Sequence, residues 1–283
     1  MSLLQKRIQG LAEDFSKSVS RLKHEISPKS VHRFRTTTRR IESLVAYSRP
    51  EVGKKQRKTL DALASLRKLA GRVRDLDVEA GLLATIGNGS AASDRRELME
   101  VLKRKRSVQE RKLASAMKRL HASRMTVHIS RMARRMTANE RADASPLSQA
   151  KGLLAKLKMQ PHSLQDLKPK RLHEVRIKLK RIRYLAEVDV NSAGQKRFLE
   201  EMESVQDAIG EWHDWGMLAK TAEKHFGDRV NCALLMEIRA LFAARYFAAA
   251  SAAARLLSER APALTRKPPR SARSAHPPLQ RVS

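Results

Sequence analysis

The sequence predicts an all-α protein, and three features support this fold class. Its 283 residues include only 11 glycines and 10 prolines, and they are rich in Ala, Leu, Lys, Arg, Glu and Met, which favour helices. Apolar residues recur at helical spacing, whereas no stretch of useful length alternates apolar and polar residues as a strand does. A pattern of basic residues on an apolar helix occurs twice, 141 residues apart.

Start and stop signals set the helix boundaries. Ser27 before Pro28 predicts an N-cap and a first helical position, and Arg49-Pro50 ends that helix. Lys168-Pro169 opens a later helix in the same way, and Gly87-Asn88-Gly89 is the clearest turn. The predicted helices cover residues 2–24, 28–48, 51–86, 91–137, 147–158, 169–189, 194–224 and 228–260.

The repeated pattern gives two helices a cationic face opposite an apolar one. In the first copy the basic stripe is His32, Arg35 and Arg39, with Arg40 beside it, and the opposite side carries Val31, Phe34, Thr38, Ile41 and Val45. In the second copy the stripe is His173, Arg176, Lys180 and Arg183, opposite Leu172, Val175, Leu179, Ile182 and Ala186. Both copies have the same phase, which predicts that each helix buries one face and presents the other to a ligand.

A second pair of segments extends the repeat. Gly71-Arg72-Val73-Arg74-Asp75 matches Gly210-Glu211-Trp212-His213-Asp214 at an offset of 139 residues. The order of the elements predicts an internal duplication, with two related helical bundles that pair about a pseudo-twofold axis. The expected division is an N-terminal bundle over 1–140, a connection over 141–168, a C-terminal bundle over 169–261 and a disordered basic tail over 262–283.

The charge of the chain points to a polyanionic partner. Lys and Arg number 59 against 29 Asp and Glu, for a net charge of +30 that would repel itself without a screening anion. The tail carries few of these charges, so the folded body is itself cationic. A single cysteine, Cys232, excludes a disulfide framework or a cysteine-based metal cluster, and no apolar run is long enough to span a membrane. We expect a protein of the cytosol that does not bind membranes.

Both basic stripes suit anion binding. Residues three and four apart on a helix place donors at intervals of about 5 to 6 Å, so that each can reach a different phosphate oxygen. Histidine would gain a proton beside an anion, and affinity should rise as the pH falls toward 6. A third stripe, His121, Arg124, His128, Arg131 and Arg135, could line the same groove, and we include Arg124 and His128 among the candidate binding residues. The competing interpretation is that these stripes are solvated helix faces.

The sequence shows no convincing catalytic arrangement. Thr36, Thr37 and Thr38 lack an activating base, and arginines surround the histidines, which disfavours metal binding. We therefore expect neither a metal nor a cofactor. Asp75 and Asp214 are interpreted as salt-bridge partners that orient arginines, although a Mg²⁺-dependent phosphohydrolase stays a weaker alternative. Nucleic-acid binding is the other alternative, and the 4% aromatic content argues against a base-stacking surface.

These motifs resemble the CHAD family, the conserved histidine α-helical domain, from about residue 2 to residue 260. The hallmark of the family is a histidine, an arginine three residues later and then a basic pair. It occurs here as His32, Arg35, Arg39 and Arg40 and again as His173, Arg176, Lys180 and Arg181. The segment 205–214 is similar to the second family motif, in which a glycine precedes a histidine and an aspartate; in the first half Arg74 stands where that histidine would be.

The resemblance implies two four-helix bundles around a basic cavity that binds inorganic polyphosphate, and association with polyphosphate granules. Some relatives also carry a triphosphate-cleaving CYTH domain, marked by alternating glutamates and a lysine in a strand. The nearest sequence here, 201–205, lacks the lysine and lies in a helical pattern. The resemblance therefore implies a binding module that is not an enzyme, whereas the oligomeric state is left open.

Overall fold

The computed structural model is all-helical and describes residues 3–48, 53–87, 91–135, 145–158, 167–188, 193–227, 229 and 231–258. This confirms the predicted fold class. The helices in these ranges are α1 Leu3–His24, α2 Pro28–Ser48, α3 Lys54–Thr85, α4 Ala92–Lys118, α5 Ala122–Arg135, α6 Pro146–Lys158, α7 Pro169–Ala186, α8 Ala193–Phe226 and α9 Ala233–Ser258. The tail expected over 262–283 lies outside the described residues.

The helix that carries the first basic stripe begins where the sequence predicts. The backbone N–H of Ser30 donates to Oγ of Ser27 at 3.4 Å, and the backbone N–H of Ser27 donates to Oγ of Ser30 at 3.0 Å. This reciprocal pair satisfies donors that the first turn of a helix leaves free. Pro169 likewise occupies the first turn of α7, so the start of each basic helix is fixed by local sequence.

The predicted helix over 91–137 is wrong, because the chain breaks at residues 119–121 into α4 and α5. The N–H of Leu120 donates to the carbonyl of Met117 and the N–H of Ala122 donates to that of Leu120, so the helical bonding pattern stops here. The break lets α5 turn back against α1, where Met125, Ile129 and Met132 are buried. Tertiary burial decides this break, since the local sequence has no glycine or proline.

The last helix begins five residues later than predicted. Asn231 has a φ of 57°, a left-handed conformation that asparagine tolerates better than most residues. Cys232 follows in the same turn, buried, with its Sγ donating to Oδ2 of Asp94 at 3.5 Å. The turn ends α8 and directs α9 back along it.

Three apolar clusters form the core. The first draws on α1 to α5, and the second on α6 to α9. A third joins the end of α3 and the start of α4 to the end of α8 and the start of α9, through Leu83, Leu98, Trp215 and Phe226. Helix α6, which lies inside the segment expected to be a connection, buries Leu147 and other apolar side chains in the second cluster.

The two parts of the chain meet through the helices that carry the repeated motifs. Helix α2 packs against α7, and α3 packs against α8. The predicted internal duplication, its pseudo-twofold axis and the domain boundaries stay predictions. In the part of the chain that the structure describes, no helix combines the length and apolar character needed to cross a lipid bilayer.

Candidate functional site

A cavity of about 760 Å³ lies where α2, α3, α7 and α8 meet. Its basic lining residues are His32, Arg35, Arg39, Arg67, Lys68, Arg72, Arg74, His173, Arg176, Lys180, Arg181 and His213. Its acidic lining residues are Glu42, Asp75 and Asp214, and the remaining ones are Thr36, Ser43, Gly71, Val78, Ile177 and Tyr184. The cavity thus has nine Lys or Arg side chains against three carboxylates.

Six of the ten candidate residues line this cavity. They are His32, Arg35, Arg39, His173, Arg176 and Lys180. The opposite faces of both helices are buried as their periodicity indicates; Val31, Phe34, Leu172 and Val175, for example, are each 0% exposed. Burial of these apolar faces fixes the rotation of α2 and α7 about their axes, and the two basic stripes therefore face one another across a shared space.

Arg40 and Arg183 do not line the cavity. Nε of Arg40 donates to Oε2 of Glu187 at 2.8 Å, and Nε of Arg183 donates to Oε1 of the same carboxylate at 3.1 Å. Arg40 is rotated by about 100° from Arg39, and Arg183 lies about one turn beyond Lys180. Both guanidinium groups meet the carboxylate of Glu187 at the end of α7; the Arg40–Glu187 pair joins α2 to α7, whereas Arg183 and Glu187 are one turn apart on the same helix end.

Arg124 and His128 are also placed away from the cavity. Both lie on α5, which packs against α1 and α3. Nδ1 of His128 is 2.8 Å from Oγ1 of Thr59 on α3. The sequence analysis left this third stripe open between groove lining and a solvated face; after the break at 119–121, α5 packs mainly against α1.

Helix α3 supplies cavity residues that the sequence analysis did not select. Arg67, Gly71, Arg74 and Val78 recur every three or four residues, so they share one helix face. The signal was present in the sequence, but α3 has charged residues on several faces and the pattern does not tell which face meets a ligand. The packing of α3 beside α2 determines which face of α3 lines the cavity.

Arg35 and Asp75 form one of two ion pairs between α2 and α3 among the described residues. Nη1 of Arg35 is 3.8 Å from Oδ1 of Asp75, which agrees with the interpretation of Asp75 as an orienting carboxylate. Gly71 allows this approach, because a Cβ atom at that position would collide with the guanidinium group of Arg35. A Cβ at the corresponding Gly210 of α8 would meet nothing within 4 Å.

Most of the cavity cations lack a carboxylate partner. Within the described ranges, only Arg35 and Arg67 of the nine have a carboxylate oxygen within 4.0 Å. Burial lowers the pKa of Arg35 to about 10, although Asp75 opposes the shift. Burial, together with repulsion from Arg176 and Arg39, lowers the pKa of Lys180 to about 7. The surroundings of Arg35 and Lys180 therefore disfavour their positive charges, and a bound anion would relieve this.

Two of the cavity histidines, His32 and His173, also have a lowered pKa. Burial and then the charge of Arg74 lower the pKa of His32, and burial followed by His213 lowers that of His173. The rings of His173 and His213 lie 6.2 Å apart, nearly parallel. His32 and His173 thus gain a proton at a lower pH than an ordinary histidine.

Glu42, like Asp75, pairs with a cavity cation. Oε2 of Glu42 accepts from Nε of Arg67 at 2.6 Å, and burial raises the pKa of Glu42. Glu79, buried between α3 and α8, also has a raised pKa because of its burial. Among the residues that the structure describes, no group of three His, Cys, Asp or Glu side chains is arranged to hold a metal ion.

Comparisons with known proteins identify related folds. A family model described as CHAD domain matches residues 6–223. The CHAD domain from the plant Ricinus communis is 17% identical, with a TM-score of 0.65 over 92% of this chain and 89% of that one. PptA from Streptomyces chartreusis is also 17% identical, with a TM-score of 0.64 over 92% of this chain and 97% of that one. No curated protein matches the sequence.

Proposed function

The chain belongs to the CHAD domain family, and from this premise we propose that its cavity binds inorganic polyphosphate without cleaving it. One observation carries the proposal: the basic faces of α2 and α7 converge on one cavity whose cations largely lack carboxylate partners. Polyphosphate repeats one negative charge per unit and presents no bases or side chains, so a cavity lined mainly by repeated cationic donors matches what it displays.

The spacing of the donors supports a linear ligand. Arg35 and Arg39 are one turn apart on α2, as are Arg176 and Lys180 on α7, so each helix offers donors about 6 Å apart. Each arginine can place two N–H groups on one phosphate, whereas Lys180 acts as a point charge. Two such rows facing one another would contact successive phosphates of a single chain.

The contacts of the acidic groups support binding without hydrolysis. Asp75 lies beside Arg35 and Glu42 accepts from Arg67, so both carboxylates serve cations. Asp214 lies 3.2 Å from Nδ1 of His213. A Mg²⁺-dependent hydrolase would need such carboxylates directed at a metal.

Family membership also supports a location at polyphosphate granules, and we include this location in the proposal.

Titration with polyphosphate at several salt concentrations tests the proposal. Phosphate contacts release bound counterions, so affinity for long-chain polyphosphate should fall by about 100-fold between about 50 and about 200 mM NaCl. Fluorescence anisotropy with end-labelled polyphosphate measures this, and duplex DNA and RNA serve as competitors at equal phosphate concentration. Equal displacement by either nucleic acid would contradict specificity for polyphosphate and favour a nucleic-acid-binding protein. Release of orthophosphate with added Mg²⁺ would contradict the non-enzymatic role.

A matched pair of glycine variants tests the position of Arg35. Gly71→Ala should weaken polyphosphate binding by about tenfold, because the new Cβ displaces the Arg35 guanidinium from α3. Gly210→Ala meets no neighbouring atom and should leave binding unchanged. In α8 the same change should stabilise the helix by about 0.5–1 kcal/mol. Anisotropy titration and thermal unfolding of both variants measure these effects. Equal affinity of the two variants for polyphosphate would show that binding does not depend on the position of the Arg35 guanidinium beside Gly71.

A further inference from the structure

Helix α9 carries an exposed apolar stripe that the proposed function does not use. Met236 is 62% exposed and Phe247 is 68% exposed, the highest values among the large apolar side chains of the described residues. They are 11 residues apart, which is about three helical turns, so both project from the same side. Two large apolar side chains exposed on one helix face indicate a contact surface more strongly than either alone.

The stripe continues between and beyond these residues through small side chains. Ala240, Ala243, Ala244 and Ser251 are all exposed and lie within about 60° of Phe247 around the helix. The buried side of α9, which includes Leu234, Ile238 and Ala253, points the opposite way, toward α8. A ridge of alanines lets a second helix approach to about 8 Å between axes, and Met236 and Phe247 would then be covered.

Two charged residues border one edge of the stripe. Glu237 and Arg255 occupy the same side of α9, 18 residues apart, and are therefore separated by about 27 Å along the axis. They cannot contact each other within one chain. Neither has an ionic partner in the part of the chain that the structure describes. Residues on the same edge of two antiparallel helices face one another, so a twofold axis near Tyr246 would bring each Glu237 opposite the Arg255 of the other copy.

We propose that this chain forms a dimer through antiparallel pairing of α9 with α9 of a second copy. The stripe contains no charged residue. Its edge with Glu237 and Arg255 is complementary to the same edge of a second copy, since the dimer would contain two equivalent Glu237–Arg255 pairs. The chain that follows α9 suits the stripe poorly, because residues 259–283 include five prolines, which oppose a packed helix. No residue of α9 lines the cavity, so both cavities would stay open in the dimer.

Dimerisation must overcome repulsion between two chains that each carry a net charge of +30. Because this repulsion is long-ranged, screening should strengthen association between about 0.01 M and about 0.15 M salt, where the Debye length falls from about 30 Å to about 8 Å. Sedimentation equilibrium of the full chain over a concentration series measures the dimer dissociation constant. A wild-type chain that stays monomeric at every concentration in about 0.15 M salt would overturn the proposal.

Substitution within the stripe identifies the contact. Phe247→Asp should abolish the dimer, because it places two carboxylates in an apolar contact. Val127→Asp is the matched control, since Val127 on α5 is also exposed, at 45%, and this variant should dimerise as the wild type does. Circular dichroism of both variants establishes that they are folded. A dimer that persists in folded Phe247→Asp, whatever the control does, would overturn the assignment to α9.

A charge exchange tests the antiparallel register. Glu237→Arg places like charges opposite Arg255, and Arg255→Glu places them opposite Glu237, so each single variant should raise the dissociation constant by about tenfold in about 0.15 M salt. Arg255→Glu also lowers the net charge, and general repulsion alone would make it associate more tightly. The double variant restores two opposite-charge pairs and should return to within about threefold of the wild type. A double variant as weak as the single ones would overturn the register.

Discussion

Replacing Arg35 and Arg176 together by alanine is expected to weaken polyphosphate binding by about 100-fold or more. The two residues lie on facing helices, and the pKa of each is lowered because it is buried. A hydrogen bond to a charged group contributes about 1.5 to 3 kcal/mol, so the loss of two corresponds to at least about 3 kcal/mol, or about 100-fold in the dissociation constant. Anisotropy titration at one low salt concentration gives the comparison.

The control removes the same charge from another part of the protein. Arg124 and Arg131 belong to the third basic stripe on α5, are exposed, and do not line the cavity. Their double alanine variant lowers the net charge equally, so it reports the long-range effect of charge alone and should weaken binding less than about fivefold. Similar losses in both double variants would mean that polyphosphate associates with the cationic surface as a whole, and the cavity would then lose its assigned role.

The two basic helices were predictable because each carries its own start signal and a clean division of faces. Ser27 and Pro28 fix the beginning of α2, and the burial of Phe34 fixes its rotation. The start signal and the apolar face can both be recognised in the local sequence, so they are predictable without a tertiary structure. The facing of Arg35 and Arg176 across one cavity follows once the apolar sides are buried in their own clusters.

The positions that helical periodicity does not locate depend on contacts distant in sequence. Arg40 follows the family pattern yet binds Glu187, which is 147 positions away. His128 contacts Thr59 on α3 because the chain turns between α4 and α5, and no glycine or proline in the local sequence indicates this turn. Arg67 and Arg74 enter the cavity because α3 packs beside α2 and α8. Helical periodicity gives the faces of one helix, whereas the choice among several polar faces belongs to tertiary packing.

Lys180→Met is expected to stabilise the protein without ligand while it weakens binding. Burial and two neighbouring arginines lower the pKa of Lys180 from 10.5 to about 7, and at about 1.4 kcal/mol per unit this corresponds to an upper bound of about 5 kcal/mol against the folded state. Methionine of similar volume removes the charge and keeps the packing. We expect a gain of about 2 kcal/mol at pH 6, or about 4 to 8 °C in Tm, by calorimetry without polyanion.

The pH dependence gives the sign of this effect. Below about pH 7 Lys180 is charged in both folded and unfolded states, and the folded state bears the full cost; above about 10.5 it is neutral in both and the cost vanishes. The advantage of Lys180→Met should therefore be greatest below pH 7 and disappear by about pH 10.5. Lys178→Met, on the same helix and outside the cavity lining, should show no such trend.

Polyphosphate should reverse the order of stability of the two proteins. A bound anion favours protonated Lys180, so the wild type should gain more in Tm from saturating polyphosphate at pH 6 than Lys180→Met does. Such a reversal would mean that the Lys180 charge, which destabilises the protein without polyanion, is retained for its contact with the ligand. If Lys180→Met were less stable than the wild type at pH 6 without polyanion, Lys180 would instead be a structural cation with a partner in the fold, and its charge would not belong to the binding site.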